Sequence, residues 1–463
     1  MLRREQAGDV FDQLRKYASA DEVELLIAGG SSALTRFANN TIHQNVSEEN
    51  TQISVRVSFG GRTARATTNK SDEESLRRVV QSAEALARVQ QDDADLLPMP
   101  TPGEATSGEV VAPARYCDNT AQLTPQERAA AVGQMVEIAK KHGLTTAGIV
   151  SSSEMAEGIF NTRGVAHWYE QTLAEVSITM LAETSSGWQK ANSPDARQVD
   201  HAWLAEVAAG KAIESANPME LPPGKYTVIL EPAAVLDAVG FMFWDFGGSA
   251  LLEQRSFLNG RIGKPLFGEN ITVWDDAYHP AQTGAFFDGE GMQRQRVQLI
   301  EQGRVRAVTY ARSSARRMAA SEMASNAGPV TATGHGFALP NEIGEAPLNI
   351  VFAGGKAGEA QSLDEMIAAT DRGILVTRLW YIREVDPYEK IITGMTRDGT
   401  FLVENGKVQR GIRNFRFNES LIHMLQNVEA LGEAVRASGE ESMDMVVPAM
   451  KVRDFNFTEV TKF

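Results

Sequence analysis

Cysteine is nearly missing: Cys117 is the only one among 463 residues. A lone thiol cannot close an internal disulfide or supply the sulfur ligands of a structural zinc site. It lies in the loop-like stretch ARYCDN, where an inert thiol is expected rather than a nucleophile. Positive charge is in short supply as well. Lys plus Arg number 45 against 60 Asp plus Glu, a net charge of −15. Such a chain repels phosphate backbones, which sets nucleic acid aside as the main ligand. Long apolar runs are absent too. The opening MLRREQAGDV has no apolar h-region, so no secretory signal is read. The longest apolar stretch, Pro232 to Phe246, is broken by Asp237 and Asp245 and is too short to span a bilayer. The expectation is a cytoplasmic protein with no membrane partner.

Catalytic motifs are absent in the same way. There is no G-x-S-x-G and no S-x-x-K followed by K-T-G. Gly354-Gly355-Lys356 lacks the spacing and the Ser/Thr of a phosphate loop. The seven histidines are His43, His142, His167, His201, His279, His335 and His423. None is followed by Glu, and no two lie within twenty residues of each other. A sequence-local zinc site, which needs paired imidazoles about one helical turn apart, is therefore excluded.

What is present is an ordinary globular pattern long enough for two domains. Leu2, Val10, Phe11, Leu14, Tyr17 and Ala18 recur at helical spacing, which predicts a helix over 3–19. Glu22–Ala28, Thr51–Phe59 and Arg62–Thr68 read as strands, and Ser71–Val89 as a helix with Ser71 as N-cap and Glu74 closing a capping box. Residues 90–120, with three aspartates and then Pro98, Pro100 and Pro102, read as a surface excursion. Pro125–His142 and Gln198–Ser215 read as helices. Thr146–Ser153 and Gly158–Phe160 read as strands framing a turn, and His167–Ala182 as a further strand. Pro218, Pro222 and Pro223 interrupt both helix and ladder, so the domain boundary is placed there. Tyr226–Leu230 is then a strand and Ala233–Phe246 a short apolar helix. Past Ser256, short strands and tight turns precede a helix near Glu419–Val435. Asp398-Gly399 and Asn405-Gly406 are hairpin signals.

Two clusters bear on chemistry. Asp275, Asp276, Asp288 and Glu290 share the segment ITVWDDAYHPAQTGAFFDGEG. They could hold Mg²⁺ or Ca²⁺ through oxygen ligands, but Asp and Gly at hairpin turns is the preferred reading. Arg312, Arg316 and Arg317 fall at i, i+4 and i+5, as on a solvated or partner-facing helical face.

Several long segments then carry a resemblance. Ser256–Val305 (SFLNGRIGKPLFGENITVWDDAYHPAQTGAFFDGEGMQRQRVQLIEQGRV), Ala38–Gln44, Asn161-Thr-Arg-Gly164, Ser362–Asp386, Thr393–Val408 and Pro448–Phe457 resemble the TldD/PmbA family, in order and across nearly the whole chain. The resemblance implies an α+β fold: an N-terminal mixed α/β domain over 1–220, and a mainly antiparallel β domain with a few helices over 221–463. Within the family, TldD-type members hold a catalytic metal on an H-E-x-x-x-H helix and a late Cys, and cut unfolded or extended peptides. TldE (PmbA)-type members lack those ligands and pair with a TldD-type partner. Here the matching helix, AAVLDAVGFMFWDF, has no histidine, and Pro448–Lys451 offers no cysteine. The chain is therefore similar to the TldE type. The resemblance implies no metal or other cofactor in this chain, zinc in the partner, a heterodimer or a homodimer, and a peptide as substrate. The degenerate helix is represented by Leu236, Asp237, Phe241, Trp244 and Asp245. An autonomous hydrolase with a dispersed metal site and a non-proteolytic regulator of the gyrase-modulator type are the alternatives.

Overall fold

The computed structural model describes residues 2–106, 108, 111–355 and 359–461; Lys356 of the Gly-Gly-Lys segment lies outside them. The N-terminal part builds one antiparallel sheet from β1 (Glu22–Ala38), β2 (Thr41–Phe59), β3 (Arg62–Thr68), β4 (Thr145–Asn161), β5 (Ala166–Leu181) and β6 (Ser186–Ser193), in the order β3-β2-β1-β4-β5-β6. Alternation decides its faces. Val23, Leu25, Ile27, Ile53, Val55 and Val57 point to one side and pack under helices Arg4–Tyr17 and Glu73–Val89. Each such fully buried aliphatic side chain contributes about 1.5–3 kcal/mol. Helices Pro125–Lys141 and His201–Glu214 cover the other end of the same sheet. On the opposite face Leu26, Ile159 and Tyr169 pack against Phe287 of the C-terminal part.

The second sheet is larger. Its strands are β7 (Gly224–Leu230), β8 (Val273–Asp275), β9 (Val297–Glu301), β10 (Arg304–Val305), β11 (Ile350–Phe352), β12 (Arg372–Asp386), β13 (Ile391–Glu404), β14 (Lys407–Gly411), β15 (Phe415–Ser420), β16 (Val428–Ala437) and β17 (Met445–Val460). Pairing runs β17-β15-β13-β12-β7, and β7 pairs with β17 again, so these five strands close a ring. Closure leaves no free edge along it. The ring encloses Ile374, Val376, Leu379, Phe415, Phe417, Met450 and Phe455. Among the named strands only β7–β12 and β11–β17 pair in parallel, so the sheet is mainly antiparallel and the fold is α+β.

Polar ties join the two lobes. Arg378 of β12 stacks on Trp188 of β6 at 4.6 Å and reaches Asp398 through Nε at 2.8 Å, while Ser186 donates to the same carboxylate. The described residues of the 90–120 segment lie mostly on the surface, as expected, but a few of them anchor it to both lobes. Met99 and Ala105 are buried, Asp95 pairs with Arg316 and Arg317, and Arg312 donates to the Pro98 carbonyl. The arginine face of helix Arg312–Ala319 is thus taken up by this segment. Arg115, 3 % exposed, donates to the Gly284 carbonyl at 2.7 Å and to those of Ala277 and His279, and its guanidinium lies 4.6 Å over Phe286. Proline and aspartate favour loops, but a loop between two lobes buries what it touches. Arg115→Ala should lower stability by about 2–3 kcal/mol in urea denaturation, because one buried and two partly buried carbonyls lose a charged donor; a loss under 0.5 kcal/mol would refute the strap reading.

Other expectations also give way. β4 runs unbroken for 17 residues through Ser151-Ser152-Ser153, because β1 and β5 satisfy its backbone on both sides. Asp72, not Ser71, caps helix Glu73–Val89, accepting from Ser75 N at 3.0 Å, while Glu74 pairs with Arg78. Beyond Ser256, β12, β13 and β17 are long strands of 15, 14 and 16 residues. The expected 419–435 helix shrinks to Leu421–Gln426, and Val428–Ala437 becomes β16 against β17. Asn405-Gly406 does form the two-residue β13–β14 turn, with φ of 52° and 73°. Asp398-Gly399 does not turn the chain. It sits inside β13 as a bulge opposite Val376–Arg378, with φ of 53° and 123°.

Candidate functional site

Helix Pro232–Val239 starts cleanly, with Pro232 in its first turn and Glu231 as N-cap. It ends at Val239, seven residues earlier than its apolar composition suggests, with Gly240 as C-cap, and Phe243–Asp245 continues as a single 3-10 turn. The reason is packing. A Cβ at position 240 would lie 1.9 Å from Ser442 Oγ, so glycine is required where the loop 438–444 crosses the helix end. Leu236 and Asp237 are fully buried, Trp244 is 49 % exposed, and Phe241 is half-buried.

Asp237 is the one acid on that helix. Its Oδ1 accepts the main-chain N–H of Glu440 at 3.3 Å and of Glu441 at 3.2 Å. Its Oδ2 is buried without a partner among the described residues. Burial pushes the carboxyl up to about 7, against the pull of those amides and of Arg378. Asp245 has a different role. It pairs closely with Lys390 Nζ, which also meets Glu384 Oε1 at 2.6 Å. Burial raises Asp245, and Lys390 opposes that shift. Lys390 is only 2 % exposed, so the Asp245–Lys390 pair is buried, with the more exposed Glu384 at its edge, and this triad ties the β12–β13 hairpin to the helix region.

The second set, Asp275, Asp276, Asp288 and Glu290, divides by function in the structure. Asp275 is buried with Oδ1 2.8 Å from His335 Nε2, and its Oδ2 accepts from Asn349 N at 2.8 Å. Asp276 caps a turn at Tyr278 N and faces Arg296 at 3.4 Å. Asp288 accepts from Glu290 N, Met292 N and Gly336 N at 2.7–2.9 Å. Glu290 accepts from Arg312 N at 3.0 Å, at the start of helix Arg312–Ala319. Burial, then the Asp288 charge, pushes Glu290 up to about 7. Both Asp288 oxygens are occupied by main-chain donors, and each of the other three acids has an oxygen on a main-chain N–H, as turn and cap chemistry requires.

Among the described residues no three His, Cys, Asp or Glu side chains gather as a metal-holding group. The donor set on helix Pro232–Val239 does not fit a catalytic zinc. It offers one carboxylate, half committed to loop amides, and otherwise aliphatic side chains that donate no electron pair. Reasoning on residue types missed Lys390, Glu384 and the Glu440-Glu441 loop; Lys390 and the loop lie 145–204 positions from the aspartates they contact, and Glu384 joins the site through Lys390.

A family model described as the PmbA/TldA metallopeptidase C-terminal domain matches residues 223–459, more than half of the chain. The chain belongs to the PmbA/TldD metallopeptidase family. A second model, PmbA/TldA metallopeptidase domain 1, matches residues 23–87. The Haemophilus influenzae metalloprotease PmbA homolog is 20% identical over 95% of this chain and 96% of its own length. An uncharacterized protein of Methanocaldococcus jannaschii is 26% identical and a metalloprotease of the same organism 24%, but these matches span 40% and 48% of those proteins. The fold is that of TldE from Thermococcus kodakarensis, with a TM-score of 0.84 and 18% identity over 98% of this chain and 99% of that one. A putative modulator of DNA gyrase from Thermotoga maritima gives the same TM-score and identity, over 97% of this chain and 100% of that one. The PmbA/TldD chain thus shares the fold of these structures across its length. No helix among its described residues is long and apolar enough to cross a membrane.

Proposed function

We propose that this chain is the non-catalytic, TldE-type subunit of a cytoplasmic heteromeric metalloprotease, with residues 1–220 and 221–463 as its two domains. A TldD-type homologue supplies the zinc, and the complex cuts unfolded or extended peptides. The observation that carries this reading is the state of helix Pro232–Val239. Residues 234–239 are all buried, and the only acid among them accepts two loop amides. A base without a metal-bound water has nothing to activate. The chain then acts by pairing: it completes an enclosure around the partner's site and stabilises the catalytic chain. The autonomous alternative, metal on the Asp288–Glu290 cluster, is disfavoured because both Asp288 oxygens already accept main-chain N–H groups.

The test is to purify the chain alone, its TldD-type homologue from the same genome alone, and the two co-expressed. The expected result is zinc only where the homologue is present, and cleavage of an unfolded peptide substrate only by the complex. Equal cleavage with and without this chain, or stoichiometric zinc on this chain by itself, would overturn the proposal.

A further inference from the structure

The outer face of β12, β13 and β15 carries a surplus of positive charge. Arg378 lies directly opposite Arg397 in the β12–β13 ladder, and Arg416 lies opposite Met395 in the β13–β15 ladder. Met395 and Arg397 share a face by strand alternation, so Arg416 is the diagonal neighbour of Arg397. Like charges facing each other across a ladder are destabilising. One carboxylate is built into the cluster, Asp398, and Arg378 holds its Oδ2 through Nε at 2.8 Å. Arg397 stands off at 3.6 Å from that oxygen, its side chain 46% exposed. Among the described residues Arg416 has one carboxylate opposite it, Glu459 of β17, which forms no hydrogen bond with it, so its guanidinium remains open to a ligand. A chain with a net charge of −15 does not produce such a surplus through its composition.

A cavity of about 550 Å³ opens over these side chains, between the end of the β5–β6 hairpin and the second sheet. Trp380 forms its apolar wall with Met395 and Leu181, and is itself held between Arg378 at 5.1 Å and Arg397 at 5.0 Å. The cavity continues into a second one of about 670 Å³ that shares Leu181, Ser186, Asp398 and Asn414 with it. The result is a cationic pocket with an aromatic wall at one end of a longer polar groove.

We propose that this pocket binds the C-terminal carboxylate of a peptide, clamped by Arg397 and Arg416, with the last side chain packed on Trp380 and Met395. A guanidinium fork matches the planar carboxylate in geometry as well as charge. That the ligand is a peptide rests on the peptidase-family reading above; that it is an anion rests on the arginine cluster alone.

The test is direct binding to the full chain, with no partner and no cleavage, so it fails or succeeds independently of the subunit reading. N-acetyl-Ala-Phe as the free acid and as the amide are titrated by calorimetry and by tryptophan fluorescence. The acid is expected to bind about tenfold tighter or more, with the preference falling as salt rises. Arg416→Gln and Arg397→Gln should each weaken the acid about tenfold and leave the amide unchanged. Both should leave Tm nearly unchanged, since the relief of repulsion offsets the exposed contacts they lose, and Arg416→Lys should recover part of the affinity. Equal binding of acid and amide, no binding of either at millimolar concentration, or an acid affinity untouched by Arg416→Gln would overturn the proposal. So would competition by inorganic phosphate at equal concentration, or an amidated peptide with an internal Glu binding as tightly as the free acid.

Discussion

Lys390→Met should lower the unfolding free energy by about 3–5 kcal/mol at pH 7.5, the cost of leaving a buried charge without its partner. Lys390 Nζ is the only cation in ion-pair reach of Asp245 among the described residues, and it also holds Glu384 at 2.6 Å. A methionine fills the volume but provides no charge. Asp245 is already raised by burial, so in the variant it takes up a proton or its surroundings open to water. The loss should therefore shrink toward pH 5, where protonation relieves the site. Lys390→Met combined with Asp245→Asn should recover a good part of it, since removing both members of a buried pair is far cheaper than removing one. Urea denaturation across pH 5–8 measures both effects. A loss below about 1 kcal/mol at pH 7.5, or no recovery in the double variant, would show that the triad is solvated in solution.

Asp237→Asn should move stability in the opposite direction. Burial pushes the folded-state carboxyl up from the ordinary aspartate value of 3.8 to about 7. The sign follows from proton counting. Between about pH 4 and 7 the folded chain holds a proton that the unfolded chain has released, so wild-type stability falls as pH rises through that window and is level above it. Asparagine keeps an acceptor for the Glu440 and Glu441 amides and carries no charge. At pH 8 the variant should be more stable than wild type by about 2 kcal/mol, the difference between a shift of several units and the cost of one unpaired amide donor. At pH 4 the advantage should vanish or reverse. A variant less stable than wild type at pH 8 would mean that Asp237 is ionised at no cost, with water or a cation at its free oxygen.

Local signals reached the sequence reading and long-range ones did not. The helices at 4–17 and 73–89 and the β2–β3 hairpin were legible because their apolar periodicity is written within one element. Asn405-Gly406 was legible because two consecutive positive φ angles select those residues. The same logic misread Asp398-Gly399: the positive φ values are real, but they serve a bulge whose Asp398 meets Arg378 and Ser186. A bulge and a turn ask the same of the backbone, and only the partner strand distinguishes them. β6 was missed because SGWQKANS has no clean alternation; it is held by β5 and by the second lobe through Trp188 and Asn192. The helix expected over 419–435 failed for a related reason, since β17 offers Val428–Ala437 a ladder that outweighs weak helical periodicity.

From residue order alone came the family, the α+β class and the chemical poverty of helix Pro232–Val239, because each depends on which side chains exist and in what sequence. No fold can make imidazole or thiolate ligands from aliphatic residues. The tertiary structure alone decided what the remaining acids and bases do: Asp237 holds a loop, Asp245 answers Lys390, and three arginines crowd one sheet face. Their partners lie far along the chain, and charge energetics depend on distance and burial, which exist only once the strands are paired and the lobes are closed.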